Sequence, residues 1–351
     1  MSELLALARP EILGLAPYAH AAWDPVCVRL HANENPWTDE AEPAELRLNR
    51  YPEPRPKALH DALAAYYGVT PDRLLACRGS DEGIDLLVRA FCQAGSDRVL
   101  ICPPTFAMYG FAAAVQGAGI VEVPLDDRFD LDVDAVLAQW SPGVKIVFLC
   151  SPNNPTGNRI DPARVERVLA RLSGRALVVV DEAYIELAES PSCLALQARF
   201  AGLVVLRTLS KAHGLAGARC GVVLAQPAII ELLARILAPY ALPAPTLAAV
   251  QTALAPDRLQ RMRTRVQVLL AERERIGKAL SRLPCVRRVW RSDANFLLVK
   301  FRDAKRANAA ALQSGLLVRD FSSRPRLEGC LRITIGAPPE NDHLVASLES
   351  A

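Results

Sequence analysis

The chain has 351 residues, of which 51% are hydrophobic, so it can bury one large core or a large and a smaller domain. Its 41 Lys and Arg residues nearly balance 38 Asp and Glu residues. The net charge of +3, with no basic run, argues against nucleic acid as the main partner. We expect no signal peptide and no membrane-spanning helix, since the sequence has neither pattern.

The nine cysteines are scattered along the chain, and several lie inside apolar runs. Because no Cys-x-x-Cys pair occurs, the pattern is typical of buried, reduced thiols in a cytoplasmic protein and not of a disulfide frame or a zinc site. The five histidines are dispersed as well. We therefore expect a cytoplasmic protein without a metal site.

Prolines interrupt the first part of the chain, so residues 1–31 are predicted to form an arm with one short helix. Tyr18 in this arm is either core filler or a residue that reaches a site. The polar segment 31–36 favours a fixed loop. In segment 50–54 alternate prolines enforce an extended path, and an exposed Tyr51 there indicates an interface.

A strand at 74–77 and the following amphipathic helix are joined by the Gly79-Ser80 turn. The first N–H groups of a helix are unpaired and lie at its positive end, so this turn suits a phosphate group. Alternatively, Ser80 is an N-cap, and Asp81 and Glu82 stabilise the first helical turn. The two interpretations are compatible.

A buried strand at 98–102 precedes a helix that is predicted to start near Ala107. Tyr109 is early in this helix, where its ring suits stacking on a flat cofactor or simple packing. Asn154 lies in the turn that follows a later strand. The further strands of this region are predicted at 119–123, 145–150, 176–180, 203–206 and 220–224.

An all-apolar strand runs directly into Asp181-Glu182-Ala183-Tyr184. A carboxylate at the end of such a strand is costly unless it has a partner, and this edge of an open α/β sheet is where ligands bind. A protonated pyridine nitrogen is a suitable partner for Asp181. The alternative is that Asp181 caps the next turn.

Ser210 and Lys211 follow the next apolar strand, and Arg219 comes eight residues after the lysine. A crowded apolar turn removes water from the ammonium and favours the neutral amine, which attacks carbonyl groups. Lys211 is therefore a candidate for a Schiff base with an aldehyde such as pyridoxal 5′-phosphate (PLP). Ser210 and Arg219 suit the cofactor's phosphate. A solvated surface lysine is the alternative.

Alternating strands and helices predict an α/β domain with a mainly parallel sheet over 32–245. A cluster of prolines marks its end. A long charged helical stretch is predicted over 246–283, within a small α+β domain that covers 246–351. Arg332 lies in an apolar strand of this domain and requires an anion, either a ligand or a structural partner.

In this order the motifs resemble the fold-type I PLP enzymes, and within them the histidinol-phosphate aminotransferases. Asn154-Pro155-Thr156-Gly157 together with Ser210-Lys211 is typical of aminotransferases. The matching segments are 33–36, 50–52, 78–83, 102–105, 151–157, 181–186, 207–212 and 330–334.

The resemblance implies PLP as the cofactor and a role for each matched residue. Lys211 forms the Schiff base and moves the proton between Cα and C4′. Asp181 pairs with the ring nitrogen and keeps it protonated. Tyr184 and Asn154 bond the ring oxygen O3′, and Tyr109 stacks on the ring.

The resemblance also implies how two phosphates and a carboxylate are bound. Arg332 binds the α-carboxylate of glutamate. The residues implied for the cofactor's phosphate are Ser80, Asp81, Glu82, Ser210 and Arg219, with Tyr51 arriving from the partner subunit of a homodimer. The residues implied for the substrate's own phosphate are Arg319, Tyr18 and Asn33.

The expected reaction is reversible amino transfer between L-histidinol phosphate and 2-oxoglutarate, a step of histidine biosynthesis that gives imidazole acetol phosphate and L-glutamate. His31 and His213 depart from the family pattern, and His31 leaves the substrate preference open. The alternatives are an aromatic amino acid aminotransferase and a threonine-phosphate decarboxylase on the same fold. A ligand-sensing regulator would need a DNA-binding module, for which the first 30 residues are too few.

Overall fold

A computed structural model describes residues 4–20, 23–24, 26–38 and 46–349. Parts of the predicted arm, and the last two residues of the predicted small domain, lie outside the described residues. In the part that is described, no helix combines the length and the apolar character needed to cross a membrane.

The strands are β1 (Leu74–Cys77), β2 (Arg98–Ile101), β3 (Gly119–Glu122), β4 (Val144–Cys150), β5 (Leu177–Asp181), β6 (Leu203–Thr208), β7 (Gly221–Leu224), β8 (Val286–Val289), β9 (Phe296–Phe301), β10 (Arg319–Asp320) and β11 (Cys330–Thr334). The helices are α1 (Pro10–Leu13), α2 (Lys57–Tyr67), α3 (Ser80–Phe91), α4 (Met108–Gln116), α5 (Val133–Gln139), α6 (Pro162–Leu172), α7 (Pro227–Ala234), α8 (Ala244–Ala253), α9 (Pro256–Ser281), α10 (Ala304–Gln313) and α11 (Pro338–Glu349). Short 3-10 helices span Leu5–Leu7, Pro71–Arg73, Ile185–Leu187, Cys193–Ala198 and Ala216–Ala218.

The large sheet has the strand order β1-β7-β6-β5-β4-β2-β3. Strands β3, β2, β4, β5 and β6 are mutually parallel, whereas β7 runs antiparallel to both of its neighbours. The predicted α/β fold with a mainly parallel sheet is therefore confirmed. Asp181 pairs with Cys150 on one side and Leu206 on the other, so the turns after β4, β5 and β6 meet at one edge.

The sheet is covered by helices on both faces. All five residues of β5 are buried, as expected for a strand with a hydrophobic layer on each side. One layer joins the sheet to α2, α5 and α6, and the other joins it to α3, α4 and α7. This packing holds the strand ends, and the side chains that follow them, in fixed positions.

The small sheet has the antiparallel order β10-β11-β9-β8 and packs against α9, α10 and α11. Arg319 of β10 is directly opposite Arg332 of β11. Residues opposite each other in an antiparallel pair lie on the same face of a sheet, so two cationic side chains share this face.

The helical stretch predicted over 246–283 consists of two helices in the structure, α8 and α9. Pro256 is the first residue of α9. Proline lacks the N–H of a helical hydrogen bond and its ring clashes with the preceding turn, so it starts a helix and does not continue one.

Candidate active site

Asp181 ends β5 at the carboxyl edge of the sheet and is buried, with 2% of its surface exposed. Its Oδ1 accepts a hydrogen bond from the Ala183 N–H at 3.1 Å, and its Oδ2 accepts one from the Tyr109 hydroxyl at 2.8 Å. Burial raises the pKa of Asp181 to about 6, although both hydrogen bonds oppose this change. The carboxylate thus gains from a cationic partner.

Tyr109 does not present its ring to an open space. The side chain is fully buried, and its ring stacks on Phe148 with centroids 4.7 Å apart and planes 5° apart. Phe106, which is partly exposed, meets the same ring edge-on at 5.7 Å. This arrangement does not support the prediction that Tyr109 stacks on a cofactor, because both ring faces lie inside the protein core.

Lys211 is in the turn after β6, with its Nζ 5.6 Å from the centroid of the Tyr184 ring. The side chain reaches solvent, yet the elements around it remove part of its water. This desolvation lowers the pKa of Lys211, and the positive charges of Arg332 and Arg219 lower it further. Tyr184 is buried with its ring edge-on to Phe296, and burial raises the pKa of its hydroxyl.

The turn before α3 forms a narrow cradle. Gly79 has φ = +82° and is the N-cap, whereas Ser80 is the first helical residue and makes no capping bond, so the N-cap interpretation of Ser80 is wrong. A Cβ added to Gly221 of β7 would be 2.4 Å from the Ser80 N atom. Only glycine allows β7 to pass so close to this turn.

Two charged side chains stand at this cradle. Arg219 has a left-handed backbone with φ = +53°, and its Nη2 lies 3.2 Å from the Asp81 carboxylate. The same Nη2 would be 2.8 Å from a Cβ on Gly79, so the guanidinium covers the turn. Ser210 joins the group through Thr208, whose hydroxyl donates to the Ser210 Oγ at 2.9 Å.

Glu82 is directed to another partner. Its carboxylate accepts hydrogen bonds from the Arg78 backbone N–H at 2.6 Å and from the Arg78 guanidinium at 2.9 Å. These bonds stabilise the loop before α3. The prediction that Glu82 binds the cofactor is not supported by this geometry, because both carboxylate oxygens already have donors.

Arg332 reaches from the small sheet to the turn after β4. Its Nη1 donates to the Asn154 side-chain oxygen, and its guanidinium lies 5.1 Å from the Phe296 ring. Its Nε is buried and has no partner among the described residues. Burial lowers the pKa of Arg332, and Arg319 lowers it further. A partly buried guanidinium that keeps a free N–H donor is suited to a carboxylate.

Tyr18 and Tyr51 belong to a row of four aromatic rings that also includes His20 and Tyr240. Tyr51 is 50% exposed and stacks on Tyr240 at 4.6 Å. Tyr240 meets His20 at 5.6 Å, and His20 meets Tyr18 at 5.3 Å. This row links Tyr18 and Tyr51 to the end of the large domain.

Asn33 is exposed and has a left-handed backbone with φ = +56°. The next residue, Glu34, accepts a hydrogen bond from the Tyr51 N–H at 2.7 Å and forms ion pairs with Arg29 and Arg50. The fixed loop expected at 31–36 is therefore tied to the segment that carries Tyr51.

Sequence reasoning missed a buried ion-pair group beneath the site. Arg207 of β6 contacts Glu182 at 3.3 Å and Glu186 at 2.6 Å. Glu182 also accepts hydrogen bonds from the Ser192 hydroxyl and the Cys193 N–H, both at 2.6 Å. The signal was present in the sequence, since a charged residue inside the apolar run before Lys211 requires a partner.

The described residues fit PLP. The Gly79 turn, Ser80 and Arg219 offer N–H, hydroxyl and guanidinium donors for a phosphate. Asp181 offers a buried carboxylate for a protonated ring nitrogen, and Lys211 offers an amine with a lowered pKa for an aldehyde. The fold and this set of groups define a PLP-dependent transferase.

Residues 22–348 match the family described as aminotransferase class I and II, and the chain belongs to that family. Its cofactor is PLP. The resemblance to PLP-dependent aminotransferases that the sequence motifs predicted is confirmed by this match.

Over its full length the chain is 49% identical to the histidinol-phosphate aminotransferase of Stenotrophomonas maltophilia, of which it covers 98%. Among solved structures it resembles the histidinol-phosphate aminotransferase of Sinorhizobium meliloti in complex with PLP, with 27% identity and a TM-score of 0.78 over 86% of this chain and 83% of that one. An L-threonine-O-3-phosphate decarboxylase from Porphyromonas gingivalis shares the fold, with 24% identity and a TM-score of 0.74 over 86% of this chain and 90% of that one.

Proposed function

We propose that the protein transfers an amino group between L-histidinol phosphate and 2-oxoglutarate. The observation that carries this proposal is the partly buried Arg332 guanidinium, whose buried Nε has no partner among the described residues and which lies beside Asn154 in a site that also holds Lys211 and Asp181. The substrate pair follows from the full-length similarity to histidinol-phosphate aminotransferases. Neither the aromatic aminotransferase nor the threonine-phosphate decarboxylase is favoured by these relatives.

Arg332 binds the α-carboxylate of glutamate or 2-oxoglutarate. Its planar guanidinium forms paired hydrogen bonds with a carboxylate, and partial burial strengthens them. Arg319, opposite Arg332 in the small sheet, adds positive charge on the same face. Its guanidinium lies 6.0 Å from the Phe321 ring, on which Arg332 also packs at 5.5 Å. We assign Arg319, with Tyr18 and Asn33, to the phosphate of histidinol phosphate.

Bound PLP supplies an electron sink for the electron pair left when the substrate Cα loses its proton. Lys211 would anchor the cofactor and act as the base at Cα, since desolvation lowers its pKa and so favours the neutral amine that accepts a proton. Asp181 keeps the ring nitrogen protonated. Tyr184 and Asn154 would hold the ring oxygen O3′.

The cofactor's phosphate is assigned to the cradle before α3. Ser80 and Asp81 would bind it partly through their backbone N–H groups, with Ser210 and Arg219 as side-chain donors. Glu82 supports the same turn from outside through Arg78. Phe106, the partly exposed neighbour of Tyr109, replaces Tyr109 as our candidate for stacking on the cofactor ring.

We further propose a homodimer in which Tyr51 enters the neighbouring site. Tyr51 is half exposed, and α4 carries the exposed apolar side chains Phe111 and Val115, which a second copy would cover. Mixing the separately inactive variants Lys211→Ala and Tyr51→Ala tests this arrangement, because mixed dimers would contain one intact site. Recovered activity supports it, and failure to recover any activity from two folded variants that exchange subunits contradicts it.

A cytoplasmic location is proposed from the cysteines. All nine are free thiols in the structure, and six of them have pKa values raised by full or nearly full burial, as in Cys77, Cys102 and Cys150. Such a set suits a reducing compartment.

The test of the activity is a single half-reaction. The purified protein with PLP is given L-histidinol phosphate without a keto acid, and the absorbance change of the cofactor and the imidazole acetol phosphate formed are measured. One equivalent of product per site, and none with Lys211→Ala, is expected. If the protein reacted with phenylalanine but not with L-histidinol phosphate, it would be an aromatic aminotransferase. If it released CO₂ from threonine phosphate, it would be a threonine-phosphate decarboxylase.

A further inference from the structure

Tyr109 and Asp181 form a buried pair that the expected roles do not explain. Tyr109 is 0% exposed and belongs to the first turn of α4, whereas Asp181 ends β5, 72 residues later in the chain. The Tyr109 hydroxyl donates to the Asp181 Oδ2 at 2.8 Å. Stacking on Phe148 and the edge contact with Phe106 fix the ring, so the hydroxyl has little freedom to leave.

Asp181 is held by one donor on each oxygen. The Ala183 N–H binds Oδ1 at 3.1 Å, and Tyr109 binds Oδ2. Together the two bonds set the plane of the carboxylate, and each oxygen retains a lone pair for another donor. A carboxylate whose plane is fixed before the cofactor binds needs no reorientation to meet a ring N–H.

The surroundings of Asp181 otherwise favour its neutral form. It is buried, and the acidic groups that act on it are Asp81 and Glu182. Tyr184 and Cys150 are the other ionisable groups near it, and Lys211 is the nearby cation. The Tyr109 hydroxyl is therefore one of two direct donors that stabilise the charged form against burial and like charge.

We propose that Tyr109 is a positioning residue that keeps Asp181 ionised and oriented toward the ring nitrogen of PLP, in place of the stacking role expected from the sequence. The inference rests on the proposed PLP site. It requires only the hydroxyl, because phenylalanine would preserve the stacking on Phe148 and the edge contact with Phe106.

The direct test is Tyr109→Phe in the holoenzyme. Loss of the donor raises the pKa of Asp181, so the carboxylate becomes protonated at higher pH and the acidic limb of the pH profile of kcat moves upward. We expect that shift to be about one pH unit, and PLP to bind about 10-fold more weakly at neutral pH. The PLP dissociation constant is measured by equilibrium dialysis, without reference to activity.

Tyr67→Phe is the matched control. The Tyr67 hydroxyl is also buried, but it has no hydrogen-bond partner among the described residues. Its removal deletes the same atom from the core without touching Asp181. We expect PLP affinity and the pH profile of this variant to equal those of the wild type.

A double-mutant cycle keeps the test decisive if Tyr109→Phe also lowers stability. In an Asp181→Asn background, Tyr109→Phe should leave PLP affinity unchanged, because the charged acceptor is already gone. Equal PLP affinity and an unchanged acidic limb in Tyr109→Phe, or additive losses in the double variant, would overturn the inference. Failure of the wild type itself to bind PLP would instead contradict the proposed function.

Discussion

The Asn154 side-chain oxygen accepts a hydrogen bond from the Arg332 guanidinium, and this bond joins the large sheet to the small one. Asn154 lies in the turn after β4, and Arg332 lies on β11. Because the Arg332 Nε is buried without a partner, the guanidinium retains a donor for a ligand. A substrate carboxylate bound there would be held between two domains.

Replacing Arg332 with lysine tests this assignment. Lysine keeps the positive charge but loses the paired donors and the contact with Asn154. The loss of one charge-assisted hydrogen bond, about 1.5–3 kcal/mol, predicts a fall in kcat/KM for 2-oxoglutarate of about 10- to 150-fold. Steady-state kinetics with varied 2-oxoglutarate measure the fall.

Arg287→Lys serves as the control for Arg332→Lys, because Arg287 is an exposed residue of β8. It should leave kcat/KM unchanged. If Arg332→Lys behaved like this control, the carboxylate would have to bind elsewhere.

Much of this site could be predicted from local sequence. Asp181 and Lys211 each follow an apolar strand, and charged residues at strand ends are conspicuous. The Tyr109–Asp181 hydrogen bond could not be predicted, because the orientation of the Tyr109 ring depends on its stacking against Phe148, which lies in β4 and is distant in sequence. The partner of Glu82 could not be predicted either, because a carboxylate in the first turn of a helix can stay in solvent or turn back to accept from the preceding backbone, as it does from the Arg78 N–H.

The close passage of β7 beneath the phosphate cradle gives a second prediction. In Gly221→Ala the new methyl group would lie 2.4 Å from the Ser80 N atom and 2.5 Å from the Gly79 carbonyl carbon. The turn must shift, and overpacking of this kind costs about 1–3 kcal/mol. We expect PLP to bind about 10-fold or more weakly, as measured by equilibrium dialysis.

Gly217→Ala provides the comparison, since a Cβ there meets no atom within 4 Å. Its PLP affinity should match that of the wild type. Equal affinities in both alanine variants would argue against the Gly79–Ser80 turn as the phosphate site.

The ion pairs of Arg207 give a prediction about stability. Arg207→Met leaves Glu182 and Glu186 without their cation, and Glu182 is almost fully buried. Removing one partner of a buried pair costs about 3–5 kcal/mol, so a large fall in the free energy of unfolding is expected in urea denaturation. Arg167→Met breaks the exposed pair with Asp134 and should cost less than about 1 kcal/mol. Similar losses of unfolding free energy in the two variants would contradict the claim that burial makes the Arg207 ion pairs more important than the exposed Arg167–Asp134 pair.

The raised pKa of Asp181 gives a prediction about stability and pH in the protein freed of cofactor. Between the ordinary aspartate pKa of about 3.9 and the value of about 6 in the folded protein, the folded state binds more protons than the unfolded state. Stability contributed by Asp181 therefore falls as the pH rises through this window and is constant above it. Asparagine at this position does not ionise, so the variant does not lose this stability as the pH rises.

Asp181→Asn should therefore gain stability relative to the wild type as the pH rises from 5 to 8, by about 1 kcal/mol. Urea denaturation of both cofactor-free proteins at the two pH values measures the gain. The same variant should bind PLP more weakly, because the ring nitrogen loses its anionic partner. A difference in stability that does not change with pH would mean that Asp181 already titrates normally in the folded protein, and that its burial is relieved by other groups.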